Sequence, residues 1–325
     1  FEYGLQTPCS GKQRWQRALL KPFSSDQLSL WRGEDLSGQS LLLLEEQAIG
    51  DVMMFSTLIQ TLIIEAESIS LFLSARLVAI YSRAYKDELD SGKLHIYSKK
   101  DFQDGTLKPS LFNYQSPIGS ICQYRFTSID SYSPRVPCLI ADPKESRFFK
   151  DKYRANSTKS KLIGVSWRGG VKGARLKQKS IEEDQFLELL LSIDNVRFVS
   201  IQYGNCKKVI DSWRNRGLDI IYDETVDSLQ NMDTWLSQVS SCDGVLSIAN
   251  TTIHGAGGLN IPTMCLLSCY ADWRWLDHQS IARSYWYPSV GVARQSSQDG
   301  WSPAFQVARD WIGAGCPFPT GPNQL

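Results

Sequence analysis

Three short stretches of the chain combine reactive side chains with glycine, and each follows an apolar run and precedes a helical pattern. In EEQAIGDV (45–52), Asp51 opens the helical stretch directly after Gly50, a residue able to take backbone conformations closed to others. A carboxylate there can take a proton from a substrate hydroxyl, or merely complement the positive end of a helix dipole. SWRGGVKGAR (166–175) sets Arg168, Lys172 and Arg175 among three glycines. Free N–H groups beside cations suit a phosphate or diphosphate, and the same composition also describes a basic surface loop. Neither GxxxxGK[ST] nor GxGxxG spacing is present. In SIANTTIHGAGGLNIPTMCLL (247–267), two hydroxyls and a run of N–H groups begin a small-residue helix. That is an anion site by geometry, with Thr251 or Thr252 as a plain N-cap the alternative. His254 is either a satisfied buried histidine or a donor to a phosphate oxygen.

The surrounding elements must position these turns. SLLLL (40–44) reads as a strand, and Val52, Phe55, Ile59 and Leu62 fall on one helix face. SISLFLS (68–74) and KLHIYS (93–98) are further strands with a helix over 75–87 between them, and 100–135 is loop-rich. A charged helix and polar stretch over 143–161 is the linker candidate. The alternation then resumes. Strands are expected at 162–167, 196–202, 219–223, 243–249 and 261–268, with helices at 180–193, 232–242 and 303–312. Ser180 with Glu183 reads as a capping box for the first of these helices. Strands alternating with helices imply parallel sheets, whose ligands bind beyond the carboxyl ends of the strands.

The totals are consistent with this. The chain has 325 residues, room for two domains, and 42% of them are apolar, as in a folded globular protein. Lys plus Arg (35) nearly cancels Asp plus Glu (34), which leaves no global field to attract nucleic acid or an anionic membrane. Eight cysteines form no CxxC, and with three histidines a zinc cluster is not expected; reduced buried thiols in a cytoplasmic setting are. No signal peptide and no membrane-spanning stretch is read from the sequence.

With these turns in place, the chain resembles bacterial glycosyltransferase-like domains that follow tetratricopeptide repeats, relatives of the O-linked N-acetylglucosamine transferases. The likeness is carried by FEYGL (1–5), WRGEDLSGQSLLLLEEQAIGDVMMF (31–55), LIGVSWRGG (162–170), FVSIQYG (198–204), YDETVDS (222–228), DGVLSIANTTIHGAGGLNIPT (243–263), DWRWL (272–276) and YWYPSV (285–290). More distantly, the GD and NTTIH turns look like those of lipopolysaccharide heptosyltransferases. The resemblance implies an α/β GT-B architecture: two Rossmann-like doubly wound domains facing across a cleft. It also implies a nucleotide-sugar donor held by the C-terminal domain, no catalytic metal, and no cofactor beyond that substrate. The expected divisions are an extension over 1–30, the remnant or junction of a repeat array; an acceptor-side domain over 31–155; and a donor-binding domain over 156–325.

Carried over by resemblance, Asp51 is the general base and Arg168, with Lys172 on the same loop, approaches the phosphates or the acceptor. Asn250, Thr251, Thr252 and His254 form the donor-diphosphate turn, and Gln202, Tyr203 and Gly204 hold nucleobase or ribose, with Tyr203 able to stack. Two departures stand out: Asn250 replaces the usual acidic residue, and Ala48 replaces a glycine. Trp273 and Trp275 around Arg274 read as packing in preference to a stacking site. The resulting expectation is an inverting, metal-independent glycosyltransferase acting on an acceptor hydroxyl of a protein, glycan or lipid-linked glycan. It is neither a nucleic-acid-binding nor an integral membrane protein. A non-catalytic GT-B scaffold and a sugar-nucleotide epimerase are the alternatives.

Overall fold

A computed structural model describes residues 21–46, 48–128, 136–170, 179–269, 271, 273–275 and 282–319. FEYGL, Lys172 and Arg175 lie outside the described residues. The chain divides into two compact units, residues 1–139 and 140–325. Helices of seven residues or more are labelled below.

The first unit holds β1 (Ser40–Leu44), α1 (Ile49–Phe55), α2 (Ile59–Glu65), β2 (Ser68–Phe72), α3 (Ala75–Ala84), β3 (Leu94–Tyr97) and β4 (Tyr114–Pro117). Its sheet runs β3-β2-β1-β4, and each pairing is parallel. The leucine run of β1 is central, with Leu41 paired to Ile69 on one side and Tyr114 on the other. A central parallel strand is covered on both faces, hence the unbroken apolar run. Between α1 and α2 the Ser56 and Thr57 hydroxyls donate to the carbonyls of Met53 and Met54, each at 2.8 Å, and the helix tightens into a 3₁₀ turn there.

β4 falls inside the stretch expected to be loop, because it carries none of the usual apolar signal. Buried Gln115 replaces an apolar residue, its amide donating to the carbonyls of Phe23, Ser24 and Leu28 at 3.3, 3.2 and 2.7 Å. Those partners join residues 23–28, within the described end of the expected 1–30 extension, to β4. Phe23 and Leu28 belong to the same core cluster as Leu42, Leu44 and Phe72, so the described part of that segment is built into the first unit.

The second unit holds α4 (Pro143–Arg154), β5 (Lys161–Ser166), α5 (Glu183–Leu191), β6 (Val196–Ser200), α6 (Lys207–Asn215), β7 (Ile220–Ile221), α7 (Met232–Ser240), β8 (Gly244–Ile248), α8 (Thr251–Gly258), β9 (Thr263–Leu267), β10 (Val290–Arg294) and α9 (Ser302–Gly313). Its sheet runs β10-β9-β8-β5-β6-β7, again with parallel pairings. One core cluster joins Trp167, Phe186, Phe198, Trp213, Leu246 and Leu266, and the Trp167 and Trp213 ring centroids are 4.6 Å apart.

The division falls before α4, earlier than the expected 155/156 boundary, and the charge on α4 is the reason. Lys152 Nζ and Tyr153 Oη reach Asp223 Oδ2 at 2.6 and 2.7 Å, Arg154 pairs with Asp243, and Thr234 Oγ1 donates to Glu145 at 2.9 Å. What reads as a solvated linker is tied into the second unit by these contacts. The expected capping box also differs. α5 starts at Glu183 with Glu182 as its N-cap, and Ser180 Oγ instead accepts the N–H of Gly169 at 3.1 Å.

Candidate functional site

In the first unit the chain runs outward from β1 through β2 to β3 and returns to β4 on the opposite side of β1. The carboxyl ends of β1 and β4 therefore flank a topological switch point. The two glutamates that follow β1 brace the neighbouring turns in opposite directions. Glu45 accepts the N–H of Ser74 after β2, and Glu46, 1% exposed, accepts the N–H of Gly119 after β4, both at 2.5 Å. Asp51 is the third residue of α1 and 5% exposed, with Oδ2 accepting the N–H of Ala48 at 3.3 Å. Ala48 supplies no side-chain oxygen, so only the returning half of a capping box exists. Gly50 lies within α1, in its first turn, where the expectation of an unusual turn conformation is not met. The strand-end position of Asp51 agrees with the sequence reading, and it serves the helix start as well.

In the second unit β5 is the first strand laid down. β6 and β7 extend one side of it and β8 to β10 the other, which places the switch point between β5 and β8. The turn after β5 carries Arg168, the turn after β6 carries Gln202, and the turn after β8 carries Asn250, the N-cap of α8. The structure brings these three together. Gln202, 6% exposed, accepts from Ser166 Oγ (3.0 Å), Trp167 N (3.1 Å) and Arg168 N (2.9 Å), while its Nε2 donates to the carbonyls of Arg168 and Tyr203. Asn250 Oδ1 accepts the N–H of Thr252 at 2.9 Å, and its Nδ2 donates to Ser166 Oγ at 2.8 Å and Arg168 O at 3.2 Å. A backbone N–H can only donate, so the Thr252 bond fixes which end of the Asn250 amide is oxygen.

Tyr203 Oη donates to the carbonyl of Gly169, and burial pushes its phenol up against the opposing pull of the Arg168 charge. Gly204 has φ +75°, a conformation that favours glycine at this tight turn. Arg168 is half-buried. Its guanidinium makes one hydrogen bond, from Nη2 to Tyr203 O at 3.4 Å, and pairs with no carboxylate among the described residues. Thr251 is half-buried and Thr252 buried at the start of α8.

His254 lies buried within α8. It is 6% exposed, its Nδ1 lies 3.3 Å from Tyr287 Oη, and its ring packs against Trp275 (centroids 6.2 Å) and Tyr287 (5.9 Å). Trp275 thus packs, as expected, while Trp273 is exposed beneath the Arg274 guanidinium at 4.5 Å. The small residues of α8 allow close approach to protein. A Cβ at Gly255 would meet Trp235 at 2.9 Å.

Sequence reasoning missed the hollow at the ends of β8 and β9, lined by Lys179, Ile248, Leu266, Ser268, Trp275 and Trp301. It also missed the role of Ser166, which links two of the turns; its place as the first residue of SWRGGVKGAR, at the end of β5, was the available signal. Among the described residues no group of three or more His, Cys, Asp and Glu could hold a metal ion. No helix among them is long and apolar enough to cross a membrane.

Two parallel sheets, each with its own switch point, define a doubly wound α/β protein. In fold the chain is similar to the E. coli ADP-heptose lipopolysaccharide heptosyltransferase II, at TM-score 0.51 and 12% identity over 85% of this chain and 98% of that one. A glycosyl transferase family 9 structure from Veillonella parvula aligns at TM-score 0.49 and 10% identity, over 88% of this chain and 94% of that one. Protein FlbA of Caulobacter vibrioides is 25% identical over 281 residues, 84% of this chain; the chain spans about half, 46%, of that relative's length. No protein-family model matches.

Proposed function

We propose that the chain is a glycosyltransferase that moves a sugar from a nucleotide-sugar donor to an acceptor hydroxyl, with inversion and without a metal. In this reading it is a cytoplasmic protein of the GT-B class, related to the repeat-associated transferases. The observation that carries the reading is Arg168: a half-buried guanidinium without a carboxylate partner among the described residues, its main chain bonded to the N-cap of α8. Desolvating a cation without a counter-ion is costly, so such a residue is explained by an anion that arrives with the substrate. The N–H groups that begin α8, with Thr251 and Thr252, add the positive end of a helix dipole at the same switch point. A fold shared with a heptosyltransferase whose name specifies an ADP-linked sugar supports the assignment.

The reaction is a direct displacement. Asp51 removes the proton from the acceptor hydroxyl as its oxygen bonds to the anomeric carbon. The anomeric carbon–oxygen bond breaks, and its electron pair leaves with the nucleotide phosphate group, stabilised by Arg168 and the α8 amides. Gln202, Tyr203 and Gly204 shape the wall toward the nucleoside. A non-catalytic binding module is the second reading, favoured by Asn250, whose amide is fully used within the protein.

A thermal-shift panel of UDP-, GDP-, ADP- and dTDP-sugars, with donor hydrolysis assayed alongside, tests the proposal. A stabilising donor that is also consumed supports it. Stabilisation without turnover over a wide range of acceptors selects the binding module, and no shift with any nucleotide sugar overturns both.

A further inference from the structure

The main chain of Arg168 is gripped on both sides by side-chain amides. From the β6 side, Gln202 Oε1 takes its N–H at 2.9 Å and Gln202 Nε2 reaches its carbonyl at 3.3 Å. From the α8 side, Asn250 Nδ2 reaches the same carbonyl at 3.2 Å. Ser166 joins the two amides, receiving from Asn250 at 2.8 Å and donating to Gln202 at 3.0 Å. The chain of bonds crosses three adjacent strand ends, β8, β5 and β6, and spans the switch point.

We infer that Asn250, Ser166 and Gln202 are positioning residues, a hydrogen-bonded brace that holds Arg168 toward an anionic ligand and requires an amide at position 250. The inference rests on the donor-binding reading above. An aspartate at 250 would keep the shape and still accept the Thr252 N–H. It has no hydrogen to donate, however, and would set a carboxylate oxygen where Nδ2 now lies, 3.2 Å from the Arg168 carbonyl oxygen. That contact is repulsive. The position therefore combines two separable tasks. Capping α8 needs only an acceptor, which Ser or Asp supplies as well as Asn. Bracing needs the two N–H groups, and neither Ser nor Asp has them.

This separation makes the brace testable apart from stability. The test uses the full chain and measures Kd for whichever of UDP, GDP, ADP and dTDP binds the wild type most tightly. Asn250→Ser keeps a cap but loses the donors, and Ser166→Ala cuts the middle link without touching the cap. Each is expected to weaken nucleoside diphosphate binding about tenfold, the scale of one charge-assisted hydrogen bond lost. Asn250→Ser should keep its melting temperature within a few degrees of wild type. In an Arg168→Ala background the same two changes should have almost no further effect on Kd, because the brace acts through that side chain.

Unchanged Kd in both single variants overturns the brace while leaving the donor reading intact. Equal losses with and without Arg168 also overturn it, since they would mark direct contacts to ligand. Failure of every nucleoside diphosphate to bind wild type removes the donor reading, and the brace falls with it. Should Asn250→Ser not fold, the Ser166→Ala and Arg168→Ala cycle decides alone.

Discussion

A Cβ built on Gly257 would lie 2.5 Å from Cγ of Tyr287, so α8 passes that ring only because position 257 has no side chain. Gly257→Ala forces the ring or the helix to move. The expected cost is about 1–3 kcal/mol, the usual penalty for overpacking, read as a lower midpoint in chemical denaturation. Gly313→Ala at the end of α9 is the control. Its Cβ meets nothing within 4 Å, and the variant should be neutral or slightly stabilised.

Asp51→Asn retains an oxygen to accept the Ala48 N–H, so the start of α1 should survive the change. If Asp51 is the base, turnover of donor falls about 100-fold while donor affinity stays near wild type. Kinetics on the folded variant separate the two quantities, and near-normal turnover removes Asp51 from the mechanism.

Arg168→Ala removes a cation but no carboxylate partner among the described residues, so the fold should lose little. Nucleoside diphosphate affinity is expected to drop about tenfold or more, while the uncharged nucleoside binds as before. Calorimetry with the two ligands gives both numbers, and parallel losses would point to a damaged fold and not to a missing phosphate contact.

Asp223 links folding to pH. Burial pushes its carboxyl up, but hydrogen bonds from Lys152, Thr225 and Tyr153 outweigh this and hold it below the ordinary range. A pKa lower in the folded than in the unfolded chain means that the stabilisation is complete above the unfolded value of about 4. It fades as pH falls through the folded one. Asp223→Asn should therefore melt below wild type at pH 7, and the gap should narrow below about pH 4. A gap that does not change with pH would mean that charge is not what anchors α4.

Much of the architecture was legible because parallel α/β units write themselves in alternating runs. The leucines of β1 and the apolar strands after β5 gave the sheets, and glycine with polar residues after each strand gave the turns at the switch points. β4 was not legible, since Gln115 and Ser116 look like loop until buried carbonyls from residues 23–28 claim the glutamine amide. The place of α4 was equally hidden, because its lysines and arginine read as solvated until Asp223 and Asp243 are seen beside them.

The candidate site divides in the same way. Residue type and position after a strand are local properties, so the sequence alone marked Asp51, Arg168, Gln202 and Asn250 as residues at the carboxyl ends of strands. What each side chain does there depends on partners distant in the chain. Asn250 meets Ser166 and His254 meets Tyr287 only because parallel strands bring remote turns to one edge. Tertiary structure alone decided that His254 packs beside Trp275 and Tyr287 and that two side-chain amides grip the main chain of Arg168.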